Sequence, residues 1–250
     1  MKKSLLFILL LSAQGIIAQN LSELQGTNLT YEAFFIKPNG DTLTREIIEM
    51  QFEETDWAFG QKDLRITYHT DTVAIKDFTH PFEKLREKYA KHQLKKEQGK
   101  KGWDNWTWLQ TKEVTGYILT DSSLWMHPPR DNQYLYNEIS GMPEVNLKQL
   151  FIGGSWTKTI SIMMGWHDFK GTLESDYQVA GQTAYEKGNL NIQKAWEIKA
   201  THSHSELGKA QSRILFDKEQ YGFLHFDNIY HDGNRIVMNL IKVESTANKK

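Results

Sequence analysis

Ile192-Gln193-Lys194-Ala195-Trp196-Glu197-Ile198-Lys199-Ala200-Thr201 is the stretch from which the fold is read. Ile192, Trp196, Ile198 and Ala200 fall on one parity; Gln193, Glu197, Lys199 and Thr201 take the other. That alternation marks a strand with one buried face. A turn follows at Glu206-Leu207-Gly208-Lys209, then strand-like runs at 213–217 and 221–230. His231-Asp232-Gly233-Asn234 is a hairpin signal, and 236–243 closes the set. Consecutive strands joined by short turns, at roughly ten-residue spacing, imply an antiparallel meander.

The same reading extends upstream. Residues 31–37 end at Pro38-Asn39-Gly40-Asp41, where Asn-Gly between two apolar runs predicts a hairpin returning through 42–52. Further strands are expected at 64–75, 106–119, 123–127 and 169–179. Trp156, Ile160, Ile162, Met164 and Trp166 share a parity, with Lys158 as the exception. The expected fold is therefore mainly β, an antiparallel barrel or half barrel. One segment departs from it. In 80–99, Phe82, Leu85 and Tyr89 recur at helical spacing, with Pro81 near the start and Gly99 just past the end. Lysines and arginines crowd this segment and its flank, so it reads as one inserted basic α-helix. No repeat or linker divides the chain. The expected organisation is a single domain over 19–244 with a helical insertion at 80–99 and a disordered tail at 245–250.

The first residues are set apart from the fold. Lys2 and Lys3 precede an apolar run, and Ile16-Ile17-Ala18 offers a small residue for cleavage. This predicts a secretory signal peptide over 1–18 and an exported mature chain, periplasmic or extracellular. The apolar stretch is short for a spanning helix of ~20 residues. No later segment of the sequence reads as one.

Composition excludes several classes of function. The 250 residues carry 30 Lys+Arg against 31 Asp+Glu, a formal charge of -1 that does not suit a nucleic-acid binder. Without cysteine there is no disulfide scaffold, thiol nucleophile or thiolate zinc site. Eight tryptophans supply apolar area for a core that must be held by burial alone. No catalytic residue is assigned: the chain has no nucleophile elbow, phosphate loop or zincin motif, and Gly153-Gly154-Ser155 reads as a turn.

Three groups of residues stand out as candidate sites. Trp125-Met126-His127-Pro128-Pro129-Arg130 joins a strand end to a rigid exit, placing Trp125, His127 and Arg130 at a pocket mouth or at a plain strand-to-loop transition. Trp106, Trp108, Met164 and Trp166 would line a greasy concavity or pack the core. His202 and His204, two apart, share a face, and His225 follows in the meander. Together they could hold Zn²⁺ through neutral imidazoles, or be rim histidines beside a turn.

The C-terminal pattern Trp196-Glu197-Ile198-Lys199-Ala200, Gly208, Tyr221-Gly222-Phe223 and Asp232-Gly233-Asn234 resembles the closing strands of exported β-rich proteins of unknown function from Gram-negative bacteria. Those proteins are themselves distantly similar to lipoprotein-carrier half barrels. The His-Pro-Pro-Arg string resembles one in the same kind of protein. The resemblance covers roughly residues 122–243. It implies a curved antiparallel sheet around an apolar groove and no catalytic residues. The expected function is non-enzymatic binding of an apolar or amphipathic small molecule or lipid in the sheet's concavity, without nucleic acid. The alternatives are a metal-assisted exported hydrolase using the histidines, and an envelope or polysaccharide contact through the basic helix and its neighbouring tryptophans.

Overall fold

A computed structural model describes residues 21–71, 108–127, 144–162 and 171–245. Its twelve strands are β1 (Thr27–Ile36), β2 (Thr42–Asp56), β3 (Lys62–Asp71), β4 (Trp108–Leu119), β5 (Ser123–Met126), β6 (Val145–Asn146), β7 (Ser155–Ile162), β8 (Gly171–Lys187), β9 (Leu190–His204), β10 (Gly208–Asp217), β11 (Gly222–Ile229) and β12 (Arg235–Ser245). All belong to one sheet, in the order β6-β5-β4-β3-β2-β1-β12-β11-β10-β9-β8-β7. Every pairing is antiparallel. The first strand pairs with the last, as in Asn28 opposite Glu244, so β6 and β7 are the edges.

The two edges meet through side chains. Trp156 Nε1 on β7 donates to the Glu144 carbonyl at 3.0 Å, and Lys158 pairs with the Glu144 carboxylate. The sheet is thus a nearly closed barrel whose seam is bridged by two residues instead of a hydrogen-bond ladder. That agrees with the barrel read from the meander. The expected helix at 80–99 and the signal peptide at 1–18 lie outside the described residues. Among the described residues only 3-10 turns occur, including Leu21–Leu24 and Leu147–Gln149. Ser245, expected in a polar tail, closes β12.

Alternation decides what fills the barrel. Tyr31, Ala33 and Phe35 from β1, Ile48, Met50 and Phe52 from β2, and Leu64, Ile66 and Tyr68 from β3 are all buried. Ile236, Met238 and Leu240 from β12 and Leu224 and Phe226 from β11 meet them. Burying a large apolar side chain stabilises by about 1.5–3 kcal/mol, so the strands are held mainly by this inner face. The buried tyrosines hydrogen-bond their hydroxyls: Tyr31 to the Phe223 carbonyl and Tyr117 to the Glu53 carbonyl, both at 2.8 Å. The described inner face is therefore core.

The β8–β9 hairpin leaves the plane of the barrel wall. Register slips at Val179/Gly181 and at Thr183/Tyr185 insert two bulges, which sharpen the local twist. The bend brings the hairpin tip to β12 and β1. Tyr185 donates its hydroxyl to the Leu240 carbonyl at 2.7 Å, and Lys187 lies 3.7 Å from Glu32. Glu32 alternates with buried Tyr31 and Ala33, so the tip crosses the outer face. Gly188 is required at the contact: a Cβ there would sit 2.2 Å from the Ile241 carbonyl oxygen.

Candidate functional site

Three features outside plain apolar packing distinguish the molecule: a buried polar chain, an aromatic surface and an outer groove. The first runs across the inner face of four strands. Ser175 on β8 lies 2.7 Å from His202 Nδ1, His202 Nε2 lies 2.6 Å from Ser212 Oγ, and Ser212 donates to Asn228 Oδ1 at 2.6 Å. Because Ser212 donates onward, it accepts from His202 Nε2–H. Nδ1 then accepts the Ser175 hydroxyl, so the imidazole is neutral with both nitrogens used. Burial pushes the His202 pKa down to about 4. Tyr177 stands edge-on to the imidazole at 5.9 Å and stacks on Trp156 at the seam.

The three sequence-selected histidines do not converge. His202 is 1% exposed on the inner face, not at the rim. His204 is also buried, and its Nδ1 accepts from the Glu206 and Leu207 amides at 3.1 Å. His225 takes the opposite parity from buried Leu224 and Phe226, and its Nδ1 lies 2.8 Å from Asn239 Oδ1 on the outer side. Burial lowers the pKa of both. A single ion cannot reach His202 and His225 on opposite faces of the sheet. No cluster of three or more His, Cys, Asp or Glu at metal-binding spacing occurs among the described residues. Parity places His202 inside, since it continues Ile198 and Ala200, while its place at the strand end beside a turn argues for the rim. The signal was obscured because a polar side chain beside a turn reads as solvent-facing.

The aromatic surface lies on the outer face of β4 and β5. Trp125 pairs with Ile118 and alternates with buried Leu124 and Met126, so it faces outward. His127 follows on the same face, its ring 5.8 Å from that of Trp125, and its amide donates to the Gly116 carbonyl at 2.9 Å. These two sequence-selected residues thus lie together, but away from the barrel's interior. Trp57 and Gln61 from the β2–β3 connection cover Gly116: a Cβ there would meet Trp57 Cε3 at 2.7 Å and Gln61 Oε1 at 1.9 Å. Only glycine allows this approach. Two residues on from Trp57 in the chain, Phe59 is 97% exposed at φ 51. A bulky residue in the left-handed region costs about 1–2 kcal/mol. Val114 is also exposed, two positions from Gly116 along β4. Arg130, Trp106, Met164 and Trp166 lie outside the described residues, and Trp108 is placed only as the first residue of β4.

The third feature is a groove of about 660 Å³ across the outer face of β7 to β11. Gln178, Lys199, Arg213 and Asp227 form one cross-strand row along it. Asp176, Thr201 and Gln211 form the next. Sequence reasoning missed it, because Lys199 and Arg213 become neighbours only through the β9–β10 register.

No protein-family model and no curated protein matches the chain. Solved structures align with it over most of its length. One is a protein assigned as exported, with a YmcC-like fold, from Bacteroides fragilis: 7% identity over 88% of this chain and 96% of that one, TM-score 0.40. A second, assigned as a lipoprotein of Parabacteroides distasonis, has 6% identity over 89% and 96%, TM-score 0.35. The hypothetical lipoprotein YmcC of Escherichia coli has 11% identity over 90% and 89%, TM-score 0.37. At such identities and scores these structures assign no residue of this chain a role. No helix among the described residues is long and apolar enough to cross a membrane.

Proposed function

We propose that this chain is an exported, non-enzymatic binding protein that takes an amphipathic ligand on its outer aromatic surface. The carrying observation is Phe59, a large apolar side chain held almost fully in solvent in a backbone conformation that disfavours it. Nothing in local folding requires phenylalanine there, and asparagine or glycine would fit the turn better. Strain kept at an exposed position points to contact with something outside the fold. Trp57, Phe59, Val114, Ile118 and Trp125 supply the apolar contact area. Among the described residues the inner face is occupied by core side chains, which leaves the concavity without support there as the ligand's place. His202, 1% exposed and with both nitrogens bonded to serines, offers no base that a substrate could reach.

The rim selects the head group. Glu53, Glu54, Asp56 and Asp63 outnumber Lys62, Arg65 and Lys112 along β2 to β4 and the β2–β3 connection that carries Trp57 and Phe59. Lys62 lies 2.6 Å from Asp56 and Arg65 lies 3.2 Å from Glu53, which leaves an acidic excess. A cationic or zwitterionic head suits it, with cation–π contact to the tryptophans. Flotation with phosphatidylcholine vesicles tests the reading. The protein should float with them and bind anionic phosphatidylglycerol vesicles less. Phe59→Asn should abolish flotation while raising stability by about 1 kcal/mol. Unchanged flotation of Phe59→Asn, or no flotation of the intact protein, would refute the proposal.

A further inference from the structure

The outer groove on β7 to β11 is separate from the aromatic surface, and its charges are unevenly matched. Arg235 holds Asp227 through two bonds, at 2.6 and 2.5 Å. Asp176 accepts from Thr157 at 2.8 Å. Arg213 bonds Glu197 through Nε at 2.7 Å, and its terminal nitrogens make no other hydrogen bond among the described residues. Lys199 makes no ion pair among them. It stands directly across the ladder from Arg213, with Gln178 on its other side. Like charges directly opposite one another on a sheet face are unfavourable. Here they share the floor of a groove whose size lies within the range of ligand sites. The bent β8–β9 hairpin leaves the wall just beyond this row, at the Val179/Gly181 bulge.

The flanking groups narrow the chemistry. Gln178, Gln211 and Thr201 each both donate and accept hydrogen bonds, and no aromatic ring stands on the outer face among the groove's lining. Strands lie about 4.8 Å apart, so the row from Gln178 to Asp227 spans about 14 Å. That suits an extended ligand more than a compact one. We infer that the groove binds an acidic oligosaccharide, with its carboxylate or sulfate between Lys199 and Arg213 and its hydroxyls along Gln178, Thr201 and Gln211.

Titration calorimetry of the intact protein with oligogalacturonate and with a sulfated heparin tetrasaccharide tests this. At least one should bind, tenfold or more weaker to Lys199→Gln, severalfold weaker to Gln211→Ala, and less tightly as salt rises. Lys199→Gln lies on an exposed face and is expected to fold, which circular dichroism checks. A neutral galactan of equal length should bind at least tenfold more weakly. No binding of either acidic probe, or equal binding to Lys199→Gln, overturns the inference. Inorganic phosphate competing as strongly as the oligosaccharide overturns the saccharide assignment and leaves a bare anion site. Phe59→Asn should bind both probes as the intact protein does, so this test stands apart from that of the lipid reading.

Discussion

Strands β8 to β11 carry two polar rows, one on each face of the same ladder, and the rows behave oppositely. On the inner face Ser175, His202, Ser212 and Asn228 form one hydrogen-bonded chain, with His202 neutral. On the outer face Gln178, Lys199, Arg213 and Asp227 cross the same strands and leave a lysine without an ion pair among the described residues. Backbone, twist and spacing are shared, so the difference lies in the side chains and their access to water. A buried row must satisfy every donor and acceptor internally, because each one left unmade costs about 1–3 kcal/mol. An exposed row can leave groups unmatched at little cost and hold them for a ligand. The inner row is a structural element and the outer one a recognition element.

Breaking the inner row should produce the largest effect. His202→Leu strips Ser175 and Ser212 of their shared partner in a dry environment, and the expected loss is about 3–5 kcal/mol, read by urea denaturation. A loss under 1 kcal/mol would show that water or repacking replaces the imidazole. Acid probes the same row without mutation. Below about pH 6.5 the unfolded chain's His202 takes up a proton that the folded chain refuses until about pH 4. Stability is fully present above that window and falls as pH drops through it, by about 3 kcal/mol. The contribution should vanish in His202→Leu when both proteins are unfolded at a series of pH values. The outer row should hardly respond. Lys199→Gln should change stability by under about 0.5 kcal/mol, with a slight gain if repulsion from Arg213 matters. A large loss there would erase the contrast between the faces.

Much of the fold was legible because parity and turn chemistry are local. Asn39-Gly40 marks the first hairpin, and the run through Trp196 and Ile198 marks β9, so both ends of the chain were readable as antiparallel strands. The departures have physical causes. Gly171–Lys187 is longer than the 169–179 run because residues 180–184 are small or polar and no longer buried, and only Tyr185 resumes the buried parity of Tyr177 and Val179. The candidate sites were harder to read. Trp125 and His127 were picked out by their prolines, but their face depends on which neighbours are buried. Phe59 was invisible because a left-handed φ at phenylalanine leaves no compositional trace. The Lys199–Arg213 pairing arises from register, which links residues fourteen positions apart.

The pairing of β1 with β12 has a consequence for how the molecule comes into being. The middle of the finished sheet is assembled from the two ends of the described chain, while its seam is assembled from the centre of the sequence. A nascent chain therefore cannot close its barrel until residues 235–245 have left the ribosome. Before then β1 to β6 and β7 to β11 are two sheets joined by no strand pairing, with open edges. Contacts of such long sequence separation slow folding and prolong the exposure of unpaired edges. β12 is the keystone, and a chain halted just short of it would be a pair of aggregation-prone sheets instead of a smaller barrel.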